Sequence, residues 1–160
     1  MRVYITSLLD KDHSDDLEQL LYFHPQQEHF RQNIIACVEK YGSPQIIERD
    51  GGLRIQLELL KEVQTLYAIA QNGQARKLAG VVVYTRIQDG DLEIVHIVVK
   101  DEYTMKGKKA KDEVAAMLIE EVCRIARRIH GVHSVRLAYN RGRIIVKPRV
   151  GSSSGDDGDM

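Results

Sequence analysis

The sequence predicts an α+β fold: one domain over residues 1–150, with a mixed, mostly antiparallel sheet, a central helix packed on it and two helices near the N-terminus. Three observations predict it. Apolar residues recur at helical spacing early in the chain and again from Val114 to Ile129. Between these stretches, "LRIQLEL", "QTLYAIAQ", "KLAGVVVYTRI" and "LEIVHIVV" are rich in β-branched and apolar residues, as strands are. "QNGQ" and "QDGD" separate the last three, and Asn-Gly and Asp-Gly are strong hairpin signals, so these segments form an antiparallel meander.

The elements follow in order. "RVYITSLL" forms a first strand. Asp15 and Glu18 are spaced as a capping box before "LEQLLYF", which starts a short helix. Pro25 suits the first turn of a second helix. Its inner face would carry Phe30, Ile34, Cys37 or Val38, and Tyr41, and Gly42 with Pro44 would end it. After the meander, Val114, Met117 or Leu118, Val122, Ile125 and Ile129 mark an amphipathic helix, with Glu120 and Arg124 spaced to pair on its polar side. Gly131 ends that helix, "HSVRLAYN" is another strand, and "RIIVKPR" gives a last one. Residues 151–160, "GSSSGDDGDM", offer no apolar anchor and read as a disordered acidic tail. All strands are expected in one sheet.

Composition narrows the class. The chain has 160 residues, 43% apolar and 29% charged, as a soluble single domain has. No apolar run approaches the roughly 20 residues that span a bilayer. The N-terminus lacks the apolar core and cleavage site of a secretory signal. A cytoplasmic protein without membrane partners is expected. Cys37 and Cys123 lie far apart in helical patterns and read as reduced, buried thiols. His24 with His29, and His130 with His133, lack companion ligands, so no metal site is expected.

Net charge is zero, but it is unevenly spread. Lys100–Val150 holds 13 Lys and Arg against 6 Asp and Glu, whereas Met1–Val99 holds 10 against 14. A basic C-terminal half suits an anionic partner such as a phosphorylated cofactor. Arg124, Arg127 and Arg128 with the lysines of 106–111 could extend this surface. Nucleic acid is not expected, because aromatics are sparse there and the first half and tail are acidic.

"EIVHIVVKDEYTMKGKKAKDEVAAMLIEEV" carries the functional content: a strand, a lysine-rich loop with one glycine, then a helix. The order of elements and this stretch resemble the GNAT superfamily of acyl-CoA-dependent N-acetyltransferases. "LEIVHIVVKDEY" is similar to that family's fourth strand and "TMKGKKAK" to its pyrophosphate loop. "DEVAAMLIEEVCRIARRI" corresponds to its central helix, and "SVRLAYN" to its fifth strand, ending in an asparagine. The topology matches over roughly residues 1–140 and the motifs over about 92–140. Where the family's loop reads Q/R-x-x-G-x-G/A, alignment on Gly107 puts Thr104 first and Lys109 last. After Asn140 the family continues with a helix, which commonly carries a general-acid tyrosine, and two strands. Here "RGRIIVKPRV" stands in that place.

The resemblance implies acetyl-CoA as cofactor and a small-molecule or protein amine as acceptor. It implies that backbone around Val98 and Val99 holds the pantetheine arm, that Thr104, Met105, Lys106, Gly107, Lys108 and Lys109 hold the pyrophosphate, and that Asn140 lies beside the cofactor. Tyr22, Phe23 and Phe30 would line the acceptor pocket. Physically, a helix N-terminus binds phosphate through N–H groups without intrahelical partners. If the central helix starts near Lys108, that site is open. If it starts at Lys111–Glu113, the Asp112 carboxylate caps it and takes the anion's place.

Amine acylation needs a base for the ammonium proton. Glu93 matches a glutamate that some family members carry early in the fourth strand. His96 is the other candidate, with an ordinary pKa of about 6.5. Three positions apart, they face opposite sides of a regular strand. Two functions result: N-acetyl transfer, or a catalytically inactive GNAT-like binding or regulatory module. The sequence leaves room for a homo-oligomer in either case.

Overall fold

Tight turns with left-handed residues organise the middle of the chain. The computed structural model describes residues 2–22, 38–60, 62–87, 90–100, 114–138 and 143–147. Strands β3 (Pro44–Arg49) and β4 (Gly52–Leu57) pair antiparallel across Asp50 (φ 54°) and Gly51 (φ 80°). Positive φ at both central residues is what a type I′ turn requires, and Asp-Gly supplies it cheaply. Strands β5 (Gln64–Asn72) and β6 (Ala75–Arg86) pair across Gly73 (φ 65°) and Gln74. The glycine is the first central residue of that turn, so Asn72 closes β5. Strand β7 (Leu92–Val99) pairs antiparallel with β6, completing the expected meander.

The first strand corrects an expectation. "RVYITSLL" divides into β1 (Arg2–Thr6) and β2 (Leu9–Asp10). Between them the Thr6 hydroxyl accepts from Leu8 N (3.1 Å) and donates to Leu8 O (3.2 Å), which bends the chain. β1 pairs with β5 and β2 with β4, so there are two sheets instead of one. The larger has the order β1-β5-β6-β7-β8-β9, where β8 is Ser134–Leu137 and β9 is Arg143–Ile145. The smaller is β2-β4-β3. Tyr67 ties them together, donating from a buried hydroxyl on β5 to Leu53 O on β4 at 3.1 Å.

Helix α1 (Ser14–Tyr22) is entered differently from the expected capping box. Asp10 accepts from Asp12 N (3.2 Å) at the head of a 3-10 turn, Lys11–His13, that runs directly into the helix. Asp15 and Asp16 lie in its first turn, where the dipole favours negative charge. Most of the second expected helix, including Pro25, Phe30, Ile34 and Cys37, lies outside the described residues. Residues 38–41 are helical and end at Gly42 (φ 87°), whose N–H donates to Val38 O at 2.7 Å. Helix α2 (Val114–Arg128) is the expected amphipathic one, with Val114, Leu118, Val122, Cys123 and Ala126 buried. On its polar side Arg124 pairs with Glu121 at 3.4 Å, one turn position away from the expected Glu120. Lys147 donates to Ile129 O (2.7 Å) and Arg127 O (3.3 Å), stabilising the negative end of α2.

The larger sheet is covered on both faces. On one, Ala68, Val82, Tyr84, Leu92 and Ile94 pack against α2. On the other, Tyr67, Val81, Val83 and Val95 pack with Leu17, Leu20 and Leu21 of α1 and with Leu53, Ile55 and Leu57 of the smaller sheet. Each such valine, leucine or isoleucine side chain contributes about 1.5–3 kcal/mol when fully buried. Gly80 on β6 lets the layers close up: a Cβ there would meet Val98 O at 3.1 Å and Leu118 Cδ1 at 3.3 Å.

Candidate functional site

The site is built around an irregularity in β7. Tyr84 of β6 is opposite Ile94, and Val83 is opposite His96, so Val95 is an extra residue. This is a β-bulge, and it changes the parity of every residue after it. Thr85 is opposite Glu93, and Thr85 and Val83 are two apart on β6. Paired residues share a face, so Glu93 and His96 share the face turned towards α1 and the smaller sheet. This corrects the expectation that they face opposite sides. Val95, fully buried among the side chains of that face, fixes the bulge's position.

A second feature lies on the other edge of β7. Its parallel pairing with β8 runs Leu92↔Val135, Glu93↔Arg136 and Ile94↔Leu137. Ala138 N then donates to Ile94 O at 2.9 Å, and among the described residues the pairing stops there. Asp91 anchors the start of this pairing. Fully buried, it accepts from His133 N (2.9 Å) and Ser134 N (3.1 Å), which pins the start of β8 beside the start of β7. Arg86 adds a brace, donating to Gly90 O (3.0 Å) and His130 O (3.0 Å). The two parallel strands are thus fixed together at the start of each, and β7 runs on through Val98 and Val99. Lys100 N continues the pairing with β6 by donating to Ala79 O at 2.9 Å.

Glu93 is buried at 8% exposure, yet no described residue hydrogen-bonds its Oε2. Its nearest described cation is Lys40, with Nζ 3.7 Å from Oε2, too long for a good hydrogen bond. The Lys40 side chain is 64% exposed, so the carboxylate is reached from solvent along this lysine. Lys40 Nζ also lies 4.9 Å from the Tyr41 ring centroid, within cation–π range. Tyr41 is buried, and its hydroxyl has no hydrogen-bond partner among the described residues. Buried polar atoms left without partners are uncommon in folded proteins and mark this corner as a candidate site.

His96 is also buried, and burial pushes its pKa down to about 4. The imidazole is therefore neutral at pH 7, but it is a far weaker base than an ordinary histidine.

No family model, curated protein or solved structure matches this chain significantly. The site therefore rests on its own residues.

Of the residues singled out in the sequence, the structure brings Glu93 and His96 onto one face and places Val98 and Val99 at the C-terminal end of β7. Val98 packs towards α1's side of the sheet and Val99 towards α2. Thr104, Met105, Lys106, Gly107, Lys108, Lys109 and Asn140 lie outside the described residues, as do Phe23 and Phe30. Tyr22 is partly exposed and donates to Pro44 O at 2.8 Å, an anchor for the head of β3. Among the described residues, no three His, Cys, Asp or Glu side chains gather around a cation-sized space. No helix among them is long and apolar enough to cross a membrane. Sequence reasoning missed Lys40, which comes to Glu93 from 53 positions away. It also missed the bulge.

Proposed function

We propose that this chain is a GNAT-like domain that binds an acyl-CoA, acetyl-CoA in the simplest case, and transfers the acyl group to a primary amine. The observation that carries the reading is a buried carboxylate, Glu93, whose Oε2 accepts no hydrogen bond among the described residues and lies 3.7 Å from the Lys40 ammonium. In this reading backbone groups of β7 near Val98 and Val99 would hold the extended arm, and the lysines of 106–111 would supply positive charge for the phosphates.

The bound thioester supplies an electrophilic carbonyl. Glu93 accepts the ammonium proton, so that the neutral amine can attack directly. Burial strengthens the carboxylate's interaction with a cation compared with water. His96 is a much weaker base than an ordinary histidine, because burial depresses its proton affinity. It serves better as a neutral packing and hydrogen-bonding neighbour. An amine would enter from the exposed Lys40 side.

Removing a general base typically lowers a rate about 10²–10⁴-fold. Glu93→Gln is expected to do this while acetyl-CoA affinity holds, whereas His96→Gln leaves most of the rate. The opposite pattern would move the base to His96. The second reading, a catalytically silent module, is favoured by one observation: Lys40 already occupies the Glu93 carboxylate. Acetyl-CoA binding with no acyl transfer to any amine, Lys40 included, would select it.

A further inference from the structure

We infer that Lys40 is itself an acyl acceptor, so that the domain modifies its own chain at this position. The inference rests on the acyl-transfer reading above and deepens it. An amine acceptor must bring its nitrogen to the base, and Lys40 Nζ is already 3.7 Å from Glu93 Oε2. The nitrogen is held between that carboxylate and the Tyr41 ring, 4.9 Å away, an arrangement that selects an alkylammonium. Glu93 is buried and no described donor hydrogen-bonds its Oε2, so that oxygen is available to take a proton. The lysine stem is long and its side chain is 64% exposed, which lets the head leave the carboxylate for an acyl donor.

The step balances without a further reactant. Glu93 takes one proton from the Lys40 ammonium, and the resulting amine attacks the thioester carbonyl carbon. A C–N bond forms and the C–S bond breaks. The sulfur leaves with the bonding pair as a thiolate, and the proton held by Glu93 neutralises it. The second ammonium proton goes to solvent as the amide forms. The products are an uncharged amide on Lys40, free CoA and one proton. Because donor and acceptor sit on one molecule, the reaction gains from proximity and is first order in the complex. Acylation also ends the ion pair, leaving Glu93 open to an external amine. Lys40 then acts as a priming site.

The test incubates the purified full chain with acetyl-CoA and maps acetylated lysines by peptide mass spectrometry over time. Exposed Lys77, on β6, is the internal standard. Acetyl-CoA affinity is measured in parallel by calorimetry. Acetyl phosphate, which acylates lysines without CoA, controls for intrinsic reactivity. The expected result is Lys40 acetylation at least tenfold faster than Lys77 with acetyl-CoA, at a rate constant independent of protein concentration. The preference should be lost with acetyl phosphate. Glu93→Gln, nearly the same shape, is expected to slow Lys40 by about 10²-fold or more at unchanged CoA affinity. Acetyl-CoA binding with Lys40 modified no faster than Lys77 overturns the inference and leaves the cofactor reading standing. Absence of acetyl-CoA binding overturns both.

Discussion

Glu93 and His96 stand on one face of β7, although they are three positions apart, because Val95 is an extra residue between the positions opposite Thr85 and Val83. One inserted residue thus gathers two titratable side chains that a regular strand would separate. Their chemistry differs because their partners do. Glu93 has a cation at its oxygen, and His96 is desolvated.

The burial of His96 makes stability depend on acid. Its pKa falls from about 6.5 in the unfolded chain to about 4 in the folded one, so between these values the unfolded state binds more protons. Stability is therefore lost as pH falls from about 6.5 towards 4, by an amount on the order of 3 kcal/mol if the shift is fully expressed. Urea midpoints of the wild type and of His96→Asn across this range should converge as pH falls. An imidazole that titrates near 6.5 by NMR in the folded protein would contradict the prediction.

Asp91 should be the most sensitive polar residue near the site. Asp91→Ala removes the acceptor of two backbone N–H groups, His133 N and the buried Ser134 N. Leaving buried donors without partners costs about 1–3 kcal/mol each. Asp91→Asn keeps a carbonyl oxygen and should lose less than half as much. Chemical denaturation reads both. Equal losses would mean that the negative charge matters more than the geometry.

Gly80→Ala tests the spacing between α2 and the C-terminal end of β7. The new methyl group would meet Val98 O at 3.1 Å, Val99 Cγ2 at 3.2 Å and Leu118 Cδ1 at 3.3 Å. The Val98 carbonyl is backbone and cannot yield cheaply, and overpacking of this kind costs about 1–3 kcal/mol. A lowered denaturation midpoint should be accompanied by weaker acetyl-CoA binding, since Val98 and Val99 move with β7. Lower stability at full affinity would separate the site from these residues.

Much of the fold was legible in the sequence, and the reasons are local. The meander announces itself through its turn residues and β-branched runs, and α2 through its apolar spacing. β3 was missed because Pro44 reads equally well as the stop after a helix. The Asp50-Gly51 pair was the available signal, since it dictates a hairpin between "QIIER" and "GLRIQL". The second sheet was hidden because the bend at Thr6–Leu8 depends on one side-chain hydroxyl. Glu93 could be nominated from sequence, but its surroundings could not. In "EIVHIVV" every residue but the first and the histidine is apolar, so nothing marks Val95 as the extra one. That choice is made by the side chains packed around Val95. Lys40 reaches Glu93 only through tertiary folding, which spacing along the chain does not encode.

The most direct test of the account is a calorimetric titration of the wild type with acetyl-CoA, repeated with Lys108→Glu combined with Lys109→Glu. The account predicts one site per chain, with an affinity that falls as salt screens the lysine–phosphate attraction. It also predicts at least tenfold weaker binding in the double variant, equivalent to about 1.4 kcal/mol. No detectable heat with the wild type at millimolar acetyl-CoA would contradict it.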